Sequence, residues 1–229
     1  MKLIVFDFDG LILDTEVPVY DAWQEIYGEH GVSLAFEKWA QCIGTADVFD
    51  PCVELETALG RALDATTLRD RHRVRTDALI AAQAILPGVR EYVDEARRLG
   101  LRLGVASSSS RGWVEGHLER LGLRERFEVI RCAGDVSRVK PDPALYRAVL
   151  DALGVRPEEA VALEDSPNGV LAAKRAGLAC VAVPNALTAR LDLGHADLRL
   201  DSLADLSLPE LLDRLRGPVD VRLRSGPGS

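Results

Sequence analysis

Little in this chain of 229 residues points to thiolate–metal, membrane or nucleic-acid chemistry. Its four cysteines, Cys42, Cys52, Cys132 and Cys180, form no CxxC pair, and no histidine stands at zinc-finger spacing from them. Four reduced, mostly buried thiols are therefore expected in place of a metal cluster. No apolar run nears the roughly 18 residues of a membrane span. The first residues enter a β-like stretch with no basic segment ahead of it, so no membrane partner and a cytoplasmic location are expected. Basic charge is also in short supply. With 28 Lys and Arg against 36 Asp and Glu, the net charge is -8. An acidic surface opposes the counterion release that drives nucleic-acid binding, and no nucleic-acid partner is expected. Internal repeats and low-complexity blocks are absent as well.

What is present is an ordinary globular balance, 47% hydrophobic and 28% charged. A core of useful size can form without disulfides or structural metals. The length suits one large domain, or a core domain with a smaller insert.

Lys2 to Phe6 is a short apolar run rich in β-branched and aromatic residues, and reads as a buried strand ending at Asp7. From Glu16 to Ala84 the pattern turns helical. Val19, Trp23, Ile26 and Tyr27 share one face, and Trp39 with Ile43 and Leu55 with Leu59 fit later helices. Past Pro87-Gly88, strands alternate with helices. Strands are expected at 101–106, 127–132, 161–163 and 180–183, and the helix stripes between them include Val89 to Leu99, Trp113 to Leu121 and Leu145 to Leu153. This alternation predicts an α/β fold: a Rossmann-like, doubly wound parallel sheet with right-handed crossovers and an inserted all-helical cap. The expected division is a core of residues 1–15 and 85–215, a cap of 16–84, and a flexible tail of 216–229.

Ligands in such sheets bind beyond the carboxyl ends of the strands, so the residues there carry the functional argument. The first strand is followed by Asp7-Phe8-Asp9-Gly10, and the second by Ser107-Ser108-Ser109-Ser110. The third leads to Lys140-Pro141-Asp142-Pro143, and the fourth ends in Glu164-Asp165-Ser166-Pro167-Asn168-Gly169. Clustered carboxylates need a cation, and hard oxygen ligands in that number suit Mg²⁺. A serine that opens a helix offers a hydroxyl and backbone N–H groups to an anion. A lysine ammonium meets phosphate oxygens. A carboxylate can accept a phosphoryl group, and a second one two residues on can move the proton. Singly, each motif has a plain alternative. Serine runs cap helices, Ser166-Pro167 reads as an N-cap with proline at N1, and Pro141 could open a helix with Lys140 left at the surface. Four such motifs, in order and each behind a strand of one sheet, are hard to obtain by accident.

The strings IVFDFDGLILDTE, VASSSS, KPDP and LEDSPNG together resemble the haloacid dehalogenase-like superfamily, in its phosphatase and phosphomutase branch with a helical cap. The resemblance covers nearly all of residues 1–185. It implies a nucleophile at Asp7 that forms an aspartyl-phosphate, and a general acid and base at Asp9. It implies phosphoryl binding by Ser107, Ser108 and Lys140. It also implies Mg²⁺ held by Asp7, the Asp9 backbone carbonyl and Asp165, with Glu164 close by, and a lid formed by the helical insert. The expected substrate is a small phosphorylated metabolite such as a sugar or polyol phosphate, and a monomer is expected, with a dimer left open. Asp9 argues against dehalogenation, which does not need a second aspartate. The insert holds one lysine, Lys38, which disfavours Schiff-base phosphonatase chemistry.

The alternative that stays open is a β-phosphoglucomutase-type phosphomutase. Those enzymes are expected to have a histidine where Val19 stands, and an arginine after the cap glycine, where Gly44-Thr45-Ala46-Asp47 offers an acid. Both departures favour hydrolysis. A non-catalytic binding protein on the same fold is the minor alternative, and the filled catalytic positions speak against it. Asp47 and Asp50 could reach substrate from the lid or lie in a solvated loop. His117 and the three tryptophans, Trp23, Trp39 and Trp113, are expected to serve in packing.

Overall fold

The computed structural model describes residues 1–40, 43 and 49–216. Its centre is a six-stranded, all-parallel sheet in the order β3-β2-β1-β4-β5-β6. The strands are β1 (Leu3–Phe6), β2 (Arg102–Ala106), β3 (Val129–Arg131), β4 (Ala160–Glu164), β5 (Ala179–Ala182) and β6 (Leu198–Arg199). The chain builds outward from β1 in one direction as far as β3. It then returns to the other side of β1 for β4, β5 and β6. The topological switch point therefore lies between β1 and β4, where ligands of such sheets bind.

Every side chain of β1 is buried, because the sheet is covered on both faces. Alternation sends Ile4 and Phe6 into one core and Leu3 and Val5 into the other. Against the first core pack α5 (Val89–Arg98), α6 (Arg111–Arg120) and α9 (Leu208–Leu215). Against the second pack α7 (Ala144–Leu153) and α8 (Pro167–Arg175). Small residues, Ala160, Ala162, Cys180 and Ala182, line the second face and let those helices approach closely.

Between β1 and α5 lie α1 (Glu16–Glu29), α2 (Phe36–Trp39), α3 (Pro51–Leu59) and α4 (Ala65–Ala81). They share a separate cluster centred on Trp23, Ile26, Tyr27 and Leu55. Two residues from the segment after β5 join it, Leu187 and, partly buried, Leu191. The Arg190 guanidinium lies 3.5 Å from the Phe36 ring centroid. The helical segment is thus tied to the segment that follows β5.

Three details depart from the expectations raised by the sequence. The helix expected to carry both Trp39 and Ile43 ends at Trp39. β3 is three residues long, because Phe127 leaves a one-turn 3-10 helix only two residues before it. β6 and α9 are additional to the strands and helices expected above. The cap stretch 44–47, Cys42 and tail residues 217–229 lie outside the described residues. Cys52, Cys132 and Cys180 are buried free thiols. Among the described residues, no helix is long and apolar enough to cross a membrane.

Candidate active site

The carboxyl ends of β1, β2 and β4 open into one cavity of about 420 Å³. Asp7, Asp9, Ser108, Ser109, Lys140 and Asp165 line it from the sheet, and Glu16, Val19, Trp39 and Ile43 close it from the helical segment. The four sequence motifs do converge.

Asp7 follows the last residue of β1, and its backbone N–H donates to Leu163 O on β4 at 2.9 Å. The hydrogen-bond ladder thus continues one residue past Phe6 and fixes where the carboxylate emerges. Lys140 is 6% exposed, which answers the alternative of a surface lysine. Its Nζ pairs with Asp7 Oδ1, and lies 2.6 Å from Glu164 Oε1. Burial works against the ammonium, but those two carboxylates outweigh it and raise its pKa. Burial holds the Asp7 carboxyl well above the usual range, with Glu164 and Asp9 adding and Lys140 opposing. Asp165 is raised in the same way, first by burial and then by Asp7, Glu164 and Glu16.

Carboxylate oxygens of Asp7, Glu164 and Asp165 lie within 4.8 Å of one another. Three buried acids share one buried ammonium, so the cluster has an excess of acidic groups over counter-charge in a poorly solvated place. Hard oxygen donors with that excess fit a divalent cation such as Mg²⁺. The two acids of the LEDS motif are not equivalent. Glu164 is fully buried, accepts from the Tyr146 and Ser166 hydroxyls as well as Lys140, and does not line the cavity. Asp165 lines the cavity, and the Asn185 side-chain amide donates to its Oδ2 at 2.8 Å. Two glycines make room for these acids. A Cβ on Gly10, whose φ is +81°, would stand 2.3 Å from Asp165 Oδ2, and one on Gly169 would overlap the Glu164 carboxylate.

Asp9 receives four donors. Trp113 Nε1–H at 2.8 Å and the Thr15 hydroxyl at 3.3 Å reach Oδ1. The Ser109 hydroxyl at 2.7 Å and the Ser107 hydroxyl at 3.1 Å reach Oδ2. Ser107 is fully buried and absent from the cavity wall. Ser108 is on that wall, and its hydroxyl has no partner among the described residues. Of the two serines expected to meet phosphate, Ser108 lines the cavity, while Ser107 lies behind it against Asp9.

Glu16 enters the site without having been expected there. Burial first, then Asp9 and Asp14, push its carboxyl up to about 7. It belongs to the DTE end of the first motif, which is its only signal in the sequence. Trp113, expected to serve in packing, instead turns its indole N–H to Asp9. Asp50 caps α3 by accepting from Cys52 N–H, pairs with Arg69, and does not line the cavity. Val19 does line it. His117 stacks on Phe8, in keeping with a packing role.

Residues 4–183 match the family model of haloacid dehalogenase-like hydrolases, and the chain belongs to that family. It is a phosphoric monoester hydrolase of the family's phosphatase branch. YhcW of Bacillus subtilis (strain 168), a phosphatase by name, is 47% identical, with 94% of this chain and 98% of that one covered. Hexitol phosphatase B of Escherichia coli (strain K12) is 32% identical, with 91% and 95% covered. The crystal structure of CbbY from Rhodobacter sphaeroides in complex with phosphate superposes with a TM-score of 0.71 at 34% identity, covering 92% of this chain and 99% of that one.

Proposed function

We propose that this chain is a Mg²⁺-dependent phosphatase of sugar or polyol phosphates that works through an aspartyl-phosphate on Asp7. The observation that carries this reading is the convergence of Asp7, Asp9, Lys140 and Asp165 on one cavity at the switch point of the sheet. The names of hexitol phosphatase B and YhcW support the substrate class and reaction.

Asp7, the Asp9 backbone carbonyl and Asp165 would hold the metal, with Glu164 behind them fixing Lys140. When bound, Mg²⁺ supplies positive charge against the phosphoryl oxygens and the Asp7 carboxylate. The Asp7 carboxylate attacks phosphorus, and the bond from phosphorus to the ester oxygen breaks as Asp9 passes its proton to that oxygen. The alcohol leaves. Water then attacks the phosphorus, Asp9 takes its proton, and the bond between Asp7 and phosphorus breaks to release inorganic phosphate. Lys140 and Ser108 hold phosphoryl oxygens throughout. Helices α1–α4, within residues 16–84, act as the lid over a catalytic unit of 1–15 and 85–215, and exclude water while the phosphoryl group is in transit. Val19 has no group that could move a proton, which favours hydrolysis over mutase chemistry.

The test is phosphate release from a panel of sugar and polyol phosphates with Mg²⁺, including conversion of glucose 1-phosphate to glucose 6-phosphate. Phosphate release is expected, and Asp7→Asn should reduce it by roughly a thousandfold or more. Isomer conversion without net release would instead make the enzyme a mutase.

A further inference from the structure

The proposed mechanism gives Asp9 the proton, and the structure shows what fixes that carboxylate. We propose that Trp113 is the positioning residue of Asp9, orienting its carboxylate for proton transfer to the leaving oxygen; the proposal rests on Asp9 being the acid.

Trp113 lies in the first turn of α6, four residues beyond Ser109 and three beyond the N-cap Ser110. Ser110 Oγ accepts from the Trp113 backbone N–H at 3.4 Å, which starts the helix at this point. The indole is then locked from the side. It meets the His117 ring edge-on, with centroids 4.3 Å apart and an interplanar angle of 75°. His117, one turn along, stacks at 6.2 Å on Phe8, the fully buried residue between Asp7 and Asp9. The chain of rings ties the indole to the same peptide segment whose carboxylate it holds. Its N–H reaches Asp9 Oδ1 at 2.8 Å, and its ring forms part of the cavity wall.

The chemistry of the donors separates the two oxygens. An indole N–H can only donate, so Oδ1 is kept as an acceptor. The partners of Oδ2, Ser107 and Ser109, are hydroxyls that can turn and accept. The indole is thus the one donor of the four that has no acceptor lone pair to offer in return. Together with the three hydroxyls, the ring-held N–H presents the carboxylate in one orientation.

The experiment compares two phosphate monoesters that differ in their need for an acid. A hexitol phosphate expels a basic alkoxide and needs the proton, whereas p-nitrophenyl phosphate expels a stable phenolate and needs it far less. The value of kcat/KM reports the steps up to loss of the leaving group, and it is measured for wild type, Trp113→Phe and Asp9→Ala, with the unfolding midpoint of each. Trp113→Phe keeps the ring and removes only the N–H; Trp113→Leu, which also lacks the donor, replaces it should the Phe variant unfold. The loss on hexitol phosphate should exceed the loss on p-nitrophenyl phosphate by about tenfold in the Trp113 variant, and by on the order of a hundredfold or more in Asp9→Ala. Equal losses on both esters in the Trp113 variant, with the selective loss kept in Asp9→Ala, would reduce Trp113 to a space filler and leave the role of Asp9 standing. Equal losses in Asp9→Ala itself would overturn the acid role, and the positioning role with it.

Discussion

Lys140 sits between Asp7 and Glu164, buried with both of them, so its ammonium is the counter-charge that lets two acids stand this close. Replacing it with methionine leaves those acids unpaired. Lys140→Met should lose activity and destabilise the fold by about 3–5 kcal/mol, the usual result of removing one member of a buried ion pair, as read by chemical denaturation. Gly10 faces a different constraint, since its φ is +81° and Asp165 Oδ2 occupies the space a Cβ would take. Gly10→Ala is expected to cost about 1–3 kcal/mol of stability and to displace Asp165 or Asn185, which raises the Mg²⁺ concentration needed for half-maximal activity. Much of this site is legible from residue type and order alone. Asp7, Asp9, Ser108, Lys140 and Asp165 each directly follow, or lie downstream of, a recognisable strand. The role of Trp113 is not legible, because an aromatic residue on an amphipathic helix gives the same periodic signal whether its N–H faces the core or a carboxylate. The distinction between Glu164 and Asp165 is hidden for a similar reason. Neighbouring residues at a strand end face opposite ways, but the sequence does not say which way is the cavity.

At the scale of elements, the strands that bury both faces are the clearest, because β1, β2, β4 and β5 are short, mostly apolar runs that end at Asp7, at Ser107, at Asp165 and ahead of Pro184. β6 has only two residues, too few for any periodicity to show. α9 does carry a signal, since Ser207 and Glu210 form a capping box ahead of an apolar stripe. The segment after β5 opens on Pro184-Asn185, which signals a turn but not what the turn holds. There Asn185 holds Asp165 through its amide and accepts from the backbone N–H groups of Leu187 and Thr188, building the turn that presents Arg190 to Phe36. This segment connects the acidic cluster with the helical segment. A cation–π contact at a partly exposed site contributes about 0.5–1 kcal/mol. Arg190→Ala should therefore weaken the closed arrangement, raising KM about two- to fivefold with a smaller change in kcat, as steady-state kinetics would show.

The whole molecule places an acidic cavity between the sheet and a helical segment, and sensitivity to pH and to divalent metal is the expected consequence. Glu16 enters the cavity from α1, and its carboxyl is pushed from 4.5 to about 7 by burial, Asp9 and Asp14. The fold prefers its neutral form. Its contribution to stability is therefore fully present below the unfolded value and is lost as pH rises through about 7. Glu16→Gln stays neutral throughout. In metal-free buffer its unfolding midpoint should rise relative to wild type as pH goes from about 5 to 8, and thermal denaturation at both pH values checks this. Chelation tests the same charge balance from the other side. With EDTA, turnover should stop and the midpoint should fall, and both should return when Mg²⁺ is added.

Asp7 is proposed to carry the phosphoryl group during turnover. Rapid acid quench of the enzyme mixed with a hexitol phosphate, followed by peptide mass spectrometry, measures it directly. One phosphoryl group is expected on the peptide containing Asp7, at that residue, and none in Asp7→Asn. Full turnover with the phosphoryl group on another residue, or undiminished turnover by Asp7→Asn, would contradict it.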